Sequence, residues 1–128
     1  MQDPNLPIID IPPQVEAPES AVHFLIMEMV RTGRLPADSA DEVTNEIWHR
    51  EKLGSTAVIN GIAVPNARSK SVKKPLGIIG RCRHAIEWPT ATETNSVSLI
   101  CLILMQVDCA PGDYLRQLET FVRQIRAA

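Results

Sequence analysis

The chain has 128 residues, 45% of them apolar and 22% charged, with a formal charge of −2 from 13 basic and 15 acidic residues. That is the length of one domain able to build its own core, and the composition excludes a wholly disordered chain. The balanced charge argues against a dedicated nucleic-acid binder.

The longest uninterrupted apolar run, Leu99–Met105, is far short of the ~20 residues a bilayer crossing needs. No basic and then apolar leader opens the chain, and three cysteines do not make a disulfide framework. A cytoplasmic protein without membrane insertion is expected.

Residues 1–18 hold five of the ten prolines and read as an extended arm, with 19–128 as the folded domain. Within the arm, Ile8, Ile9 and Ile11 can dock as an edge strand. The spacing of Val22, Leu25, Ile26, Met29 and Val30 predicts a helix over 20–32, with Ser20 as N-cap and Gly33 as stop. A second helix is expected at about 39–53, capped by Asp38 or Ser39, with Ser39 and Glu42 at capping-box spacing. Its inner face is Ala40, Val43 and Ile47, and Gly54 ends it.

The period then changes. Ser55–Ile59 and Ile62–Val64 read as a hairpin around Asn60-Gly61. Residues 66–75 look like a polar, basic connection. Leu76–Arg83 and Ala85–Trp88 read as strands, Thr90–Asn95 as a loop, and Val97–Met105 as a strand buried on both faces. Asp113 caps a final helix lined by Leu115, Leu118, Val122 and Ile125. The order predicts a single α/β (α+β) domain, a mixed sheet covered by helices.

Few residues are placed for chemistry. His23, His49 and His84 are scattered, and Cys82 with His84 offers only two ligands on one strand face, so no metal site is expected. Cys101 reads as a core residue, and Cys109 as an exposed thiol without an activating base. No glycine-rich phosphate loop is present, so no nucleotide cofactor is expected. Six basic residues and no acidic one lie between Arg68 and Arg83, a stretch able to attract an anionic surface.

One segment is dense, from Arg50-Glu51 through Ser55-Thr56 to Gly61-Ile62-Ala63-Val64-Pro65-Asn66-Ala67-Arg68. Pro65 lacks an N–H, which interrupts the ladder and displays residue 66 at a strand end. The hairpin can fold Arg50, Ser55 and Thr56 back toward it, with Arg68 close by. Guanidinium groups and hydroxyls make an anion pocket; the bland alternative is an ordinary hairpin with a solvated arginine.

This segment resembles the type-2 enzyme IIA domain of the bacterial phosphoenolpyruvate-dependent sugar phosphotransferase system, the class of the mannitol/fructose and nitrogen-regulatory IIA proteins. The family pattern joins Arg-Glu, a Ser/Thr-Thr step and a Gly-Ile-Ala-Ile-Pro-His turn. The likeness extends over about residues 20–126, including Ile86-Glu87-Trp88, the Val97–Met105 strand and the leucines of the last helix.

The resemblance implies a mixed five-stranded sheet flanked by helices. It also implies a phosphoryl group taken by a histidine from the phosphocarrier protein and passed to a IIB domain. Several members also regulate partners by binding them.

The family's phospho-accepting histidine falls on Asn66, and its second histidine on Tyr114. A carboxamide nitrogen, its lone pair delocalised into the carbonyl, is no nucleophile; an imidazole nitrogen is. Tyr114 is uncharged at neutral pH. The expectation is therefore a non-phosphorylatable regulatory member that binds a phosphocarrier-like, IIB-like or regulated protein partner. Two alternatives stand beside it. One is an active carrier, with Asn66 introduced into an active parent or with another histidine used. The other is an interaction scaffold excised from a transporter or transcription regulator.

Overall fold

The computed structural model describes residues 7–53, 58, 59, 61–89, 93–110, 112, 113, 116, 119, 120 and 123. The proline-rich arm supplies an edge strand, β1 (Ile8–Ile11), before α1 (Pro18–Arg31). Proline suits the first turn of a helix because its missing N–H has no intrahelical role there. Ser20 is not the N-cap. It is the third residue of a helix capped by Ala17, where its hydroxyl accepts from the Ala17 N–H (3.4 Å) and donates to the Ala17 carbonyl (3.1 Å).

The stop at Gly33 is real, with φ +79°. Gly33 N–H donates to Val30 and Arg34 N–H to Met29, the Schellman arrangement that satisfies orphan carbonyls.

A short 3-10 turn (Ala37–Ser39) leads into α2 (Ala40–Leu53). The capping box expected between Ser39 and Glu42 is replaced. Ser39 N–H donates to Pro36, and Glu42 reaches across to Ser71 instead. Ala21, Val22, Leu25, Ile26 and Met29 of α1, with Val43 and Ile47 of α2, are buried against one face of the sheet. Trp48 of α2 stacks on Trp88 with ring centroids 6.5 Å apart.

The hairpin of β2 (Val58–Ile59) and β3 (Ile62–Ala63) turns at Gly61, whose φ of +81° favours glycine. Residues 66–69 are a strand, not the expected connection: β4 (Asn66–Ser69) runs parallel to β6 (Thr94–Gln106). Its inward residues, Ala67 and Ser69, are small, so the stretch reads as polar in sequence although both are buried.

The two strands expected over 76–88 are one, β5 (Leu76–Pro89), with an irregularity between Arg81 and Ile86. β6 already starts at Thr94, within the expected loop over 90–95, of which residues 90–92 lie outside the described residues.

The sheet path is β1-β5-β6-β3-β2, with β4 also on β6. Ile62 faces Leu99 and Asn66 faces Ile103, so β3 and β4 keep one register and occupy one lane, broken at Pro65. Five lanes make the mixed five-stranded sheet. Ile79, Cys101, Ile103 and Met105 are buried on the face away from the main core. Gly112, Asp113, Arg116, Glu119, Thr120 and Arg123 are helical. Asp113, expected as the cap, is already in helix, and its carboxylate pairs with Arg116. Among the described residues no helix is long and apolar enough to cross a membrane.

Candidate functional site

The break at Pro65 fixes the local geometry. The Pro65 carbonyl accepts from Ile103 N–H at 3.0 Å, which anchors the chain to β6 on either side of the missing donor. Asn66 therefore starts β4, as its place after Pro65 suggests. Its side chain, however, is not displayed: the residue is 4% exposed, and Nδ2 donates to the Val64 carbonyl at 2.9 Å.

Arg50, in the last turn of α2, and Arg68, on β4, are both half-buried and line one groove of about 910 Å³ between these elements. Ala67, next to Asn66, forms part of its floor, and exposed His49 lines it too. The α2 wall that carries Arg50 and His49 also carries Asp41, Glu42 and Glu46, with Asp38 from the turn before it. A hydrogen bond from the Ser71 hydroxyl to Glu42 Oε1 (2.7 Å) ties α2 to the turn after β4, and Lys70 adds a contact at 3.6 Å.

The structure thus brings Arg50 and Arg68 to one groove, whereas buried Asn66 is not among the residues lining it. Ser55, Thr56 and Tyr114 lie outside the described residues. The acidic residues of that wall were not foreseen from sequence, although Glu42, Asn45, Glu46 and His49 recur at helical spacing opposite Val43 and Ile47.

The remaining candidates separate. Arg81 pairs with Asp10 at 2.8 Å and, with Arg83, borders a different cavity near the end of β1, so the basic stretch is not one surface. Cys82 is buried while His84 is exposed. Burial pushes the Cys82 thiol up, and that of Cys101 to about 12. Cys109 is not the exposed thiol expected; it is buried, its Sγ 3.7 Å from the Ala110 carbonyl.

A sequence model of the family described as "Phosphoenolpyruvate-dependent sugar phosphotransferase system, EIIA 2" matches residues 7–126. The chain belongs to this type-2 EIIA family. The EIIA domain is 31% identical over 108 residues to the PTS system fructose-specific EIIA component of Haloferax volcanii, covering 84% of this chain and 67% of that protein.

It is 23% identical to the PTS system 2-O-alpha-mannosyl-D-glycerate-specific EIIABC component of Escherichia coli, over 84% of this chain and 16% of that one. It is 28% identical to the Nitrogen regulatory protein of Bradyrhizobium diazoefficiens, over 75% of this chain and 61% of that one. The domain thus spans less than two thirds of the last two relatives.

The solved structure of Nitrogen Regulatory Protein IIA-Ntr from Neisseria meningitidis superposes with a TM-score of 0.71 at 28% identity, covering 88% of this chain and 73% of that one. Enzyme IIAMTL from Escherichia coli, solved in complex with phosphorylated enzyme IIBMTL, shares the fold at 18% identity and a TM-score of 0.66, over 87% and 73% of the two chains.

Proposed function

We propose that this EIIA domain binds protein partners without itself carrying a phosphoryl group. The observation that carries the reading is Asn66. By resemblance it stands where the family's histidine attacks phosphorus, and a carboxamide nitrogen has no free lone pair to form an N–P bond. Here that nitrogen is also engaged as a donor to Val64. Tyr114 stands at the second histidine's position. Arg50 and Arg68 line the groove between α2 and β4, and with Ser55 and Thr56 as further anion-site residues they support an anion affinity that outlives the chemistry.

The partner is a cytoplasmic protein with a phosphocarrier-like or IIB-like surface, or a regulated target; no cofactor is needed. The complex of IIAMTL with phosphorylated IIBMTL is the precedent for the IIB class. The larger EIIABC relative supports a variant of this reading, in which the domain serves as an interaction scaffold within a transporter.

A second reading, a working carrier with a displaced acceptor, is favoured by one observation: exposed His49 lines the same groove as Arg50 and Arg68.

The test is incubation with phosphoenolpyruvate, enzyme I and the phosphocarrier protein. The chain as it stands stays unlabelled. Asn66→His, or Asn66→His with Tyr114→His, gains label if partner docking is intact. Label on the unsubstituted chain overturns the reading, and its loss in His49→Gln moves the acceptor to His49.

A further inference from the structure

β1 closes one edge of the sheet and pairs, among the described strands, with β5 alone, in register from Ile8 opposite Ile79 to Ile11 opposite Cys82. In a parallel ladder the backbone groups of alternate residues face the neighbouring strand. The Ile79 N–H donates to the Pro7 carbonyl at 2.8 Å, so residues 7, 9, 11 and 13 are the ones turned toward β5. They read Pro, Ile, Ile, Pro. Proline has no N–H, so the donors from the arm are cut off on both sides of Ile9 and Ile11. Beyond Arg81, β5 also leaves its register with β6.

The side chains hold the arm at one main point. Ile8 is 45% exposed, and the Asp10–Arg81 ion pair is solvated on both partners, where such pairs add little. Ile9 and Val15 are half-buried, and Ile11 is the one buried residue of β1. Its side chain lies over Gly80, in a slot that exists because Gly80 has no Cβ. Two cavities, of about 390 and 490 Å³, are both lined by Ile11, Pro12, Pro13, Cys82 and Arg83, so the chain leaves β5 through loosely filled space. At Ala17 the hold changes, because the Ser20 hydroxyl ties that residue to α1.

We propose that residues 7–16 form a strap that lifts from β5 and redocks as one unit while the helices and the rest of the sheet stay folded, with Ile11 as its latch. Lifting bares the Ile79 and Arg81 N–H groups and the slot over Gly80, a lane shaped for an extended backbone. The closed strap is therefore an autoinhibitory contact on that edge, and this chain's own arm is the occupant. No phosphoryl chemistry enters, so the strap stands or falls apart from the non-carrier reading.

The experiment is native-state amide hydrogen exchange on the full chain, read by NMR through urea concentrations below the unfolding transition. Ile79 and Arg81 N–H groups face β1, whereas those of Ile78 and Gly80, in the same strand, face β6. Ile9, Ile11, Ile79 and Arg81 are expected to share one protection factor, at least about tenfold below that of Ile78 and Gly80. Urea should hardly change it, because a small opening exposes little surface, while Ile78 and Gly80 follow global unfolding. Val43→Ala, on α2, should speed Ile78 and Gly80 and leave the four strap amides unchanged; the urea series on the parent chain makes the same separation if that variant does not fold. Ile11→Ala should speed the strap amides at least about tenfold, and Asp10→Asn less than about threefold.

Uniform protection along β5 overturns the inference. So does a graded pattern in which Ile79 exchanges fast but Arg81 as slowly as Gly80, which is fraying of an end and not the motion of a unit. Strap amides that follow urea as steeply as Ile78 and Gly80, or an effect of Asp10→Asn equal to that of Ile11→Ala, also overturn it.

Discussion

Asn66 and Val64 hydrogen-bond to each other across the proline between them, Nδ2 donating to the Val64 carbonyl at 2.9 Å. Pro65 has no N–H, and its own carbonyl is taken by Ile103. The carboxamide therefore closes the gap where one sheet lane breaks into β3 and β4. Asn66 thus has a structural task, in a place too buried for an idle polar group.

Asn66→Ala removes that donor and should cost about 1–3 kcal/mol in urea unfolding. Asn66→Asp sets a carboxylate against the carbonyl. Burial and an acceptor neighbour favour the protonated acid, raising its folded pKa above the unfolded value. The acid form can still donate. The stability of the Asp variant is thus greatest below the unfolded carboxyl pKa of about 4 and is lost as pH rises through the folded pKa. Urea midpoints for this variant that are unchanged between pH 4 and pH 7, relative to the parent chain, would contradict the bond.

Gly80 lets β5 approach β1 and α1. A Cβ there would lie 2.5 Å from Ile11 Cδ1 and 3.0 Å from Leu25 Cδ2. Gly80→Ala should destabilise by about 1–3 kcal/mol through overpacking. Ile11→Val, which removes the nearest atom, should recover part of the loss in a double-mutant cycle. Additive costs would show that the clash is not the cause.

Cys101 is buried in β6, and burial raises its thiol to about 12. The unfolded thiol ionises near 8.5, so the contribution is complete below that pH and declines as pH rises toward 12. Cys101→Val should lose less stability than the parent between pH 8 and pH 10. The native thiol should also resist Ellman's reagent until the chain unfolds. Rapid modification under native conditions would place it elsewhere.

Two contacts tie Glu42 to the turn after β4, and they are unequal. The Ser71 hydroxyl donates at 2.7 Å in a half-buried setting, while Lys70 stands at 3.6 Å with its side chain 75% exposed. Charge-assisted hydrogen bonds outweigh solvated ion pairs. Ser71→Ala should therefore cost about 1 kcal/mol, and Lys70→Ala close to nothing. The reverse order in thermal melts would make the salt bridge the fastening.

The helices were legible because Leu25, Met29, Val43 and Ile47 repeat at helical spacing, and the hairpin because Asn60-Gly61 announces it. β4 was not, since Ala67 and Ser69 bury small side chains between the polar Asn66, Arg68 and Lys70 and leave no apolar alternation to read. The irregularity between Arg81 and Ile86 made one strand look like two. At the site, the shared groove of Arg50 and Arg68 was legible in the sequence. The sequence could not tell that the Asn66 carboxamide turns back to its own backbone, because that depends on the carbonyl left at Val64 by the proline. The acidic residues of the groove were not legible because a polar helix face has the same pattern whether it is solvated or lines a groove.

The central claim, that no phosphoryl group is held on this chain, is tested most directly by phosphorus NMR at alkaline pH after incubation with phosphoenolpyruvate, enzyme I and the phosphocarrier protein. No protein phosphoramidate resonance should arise from the unsubstituted domain, while Asn66→His acquires one. A phosphoramidate signal on the unsubstituted chain would contradict the account.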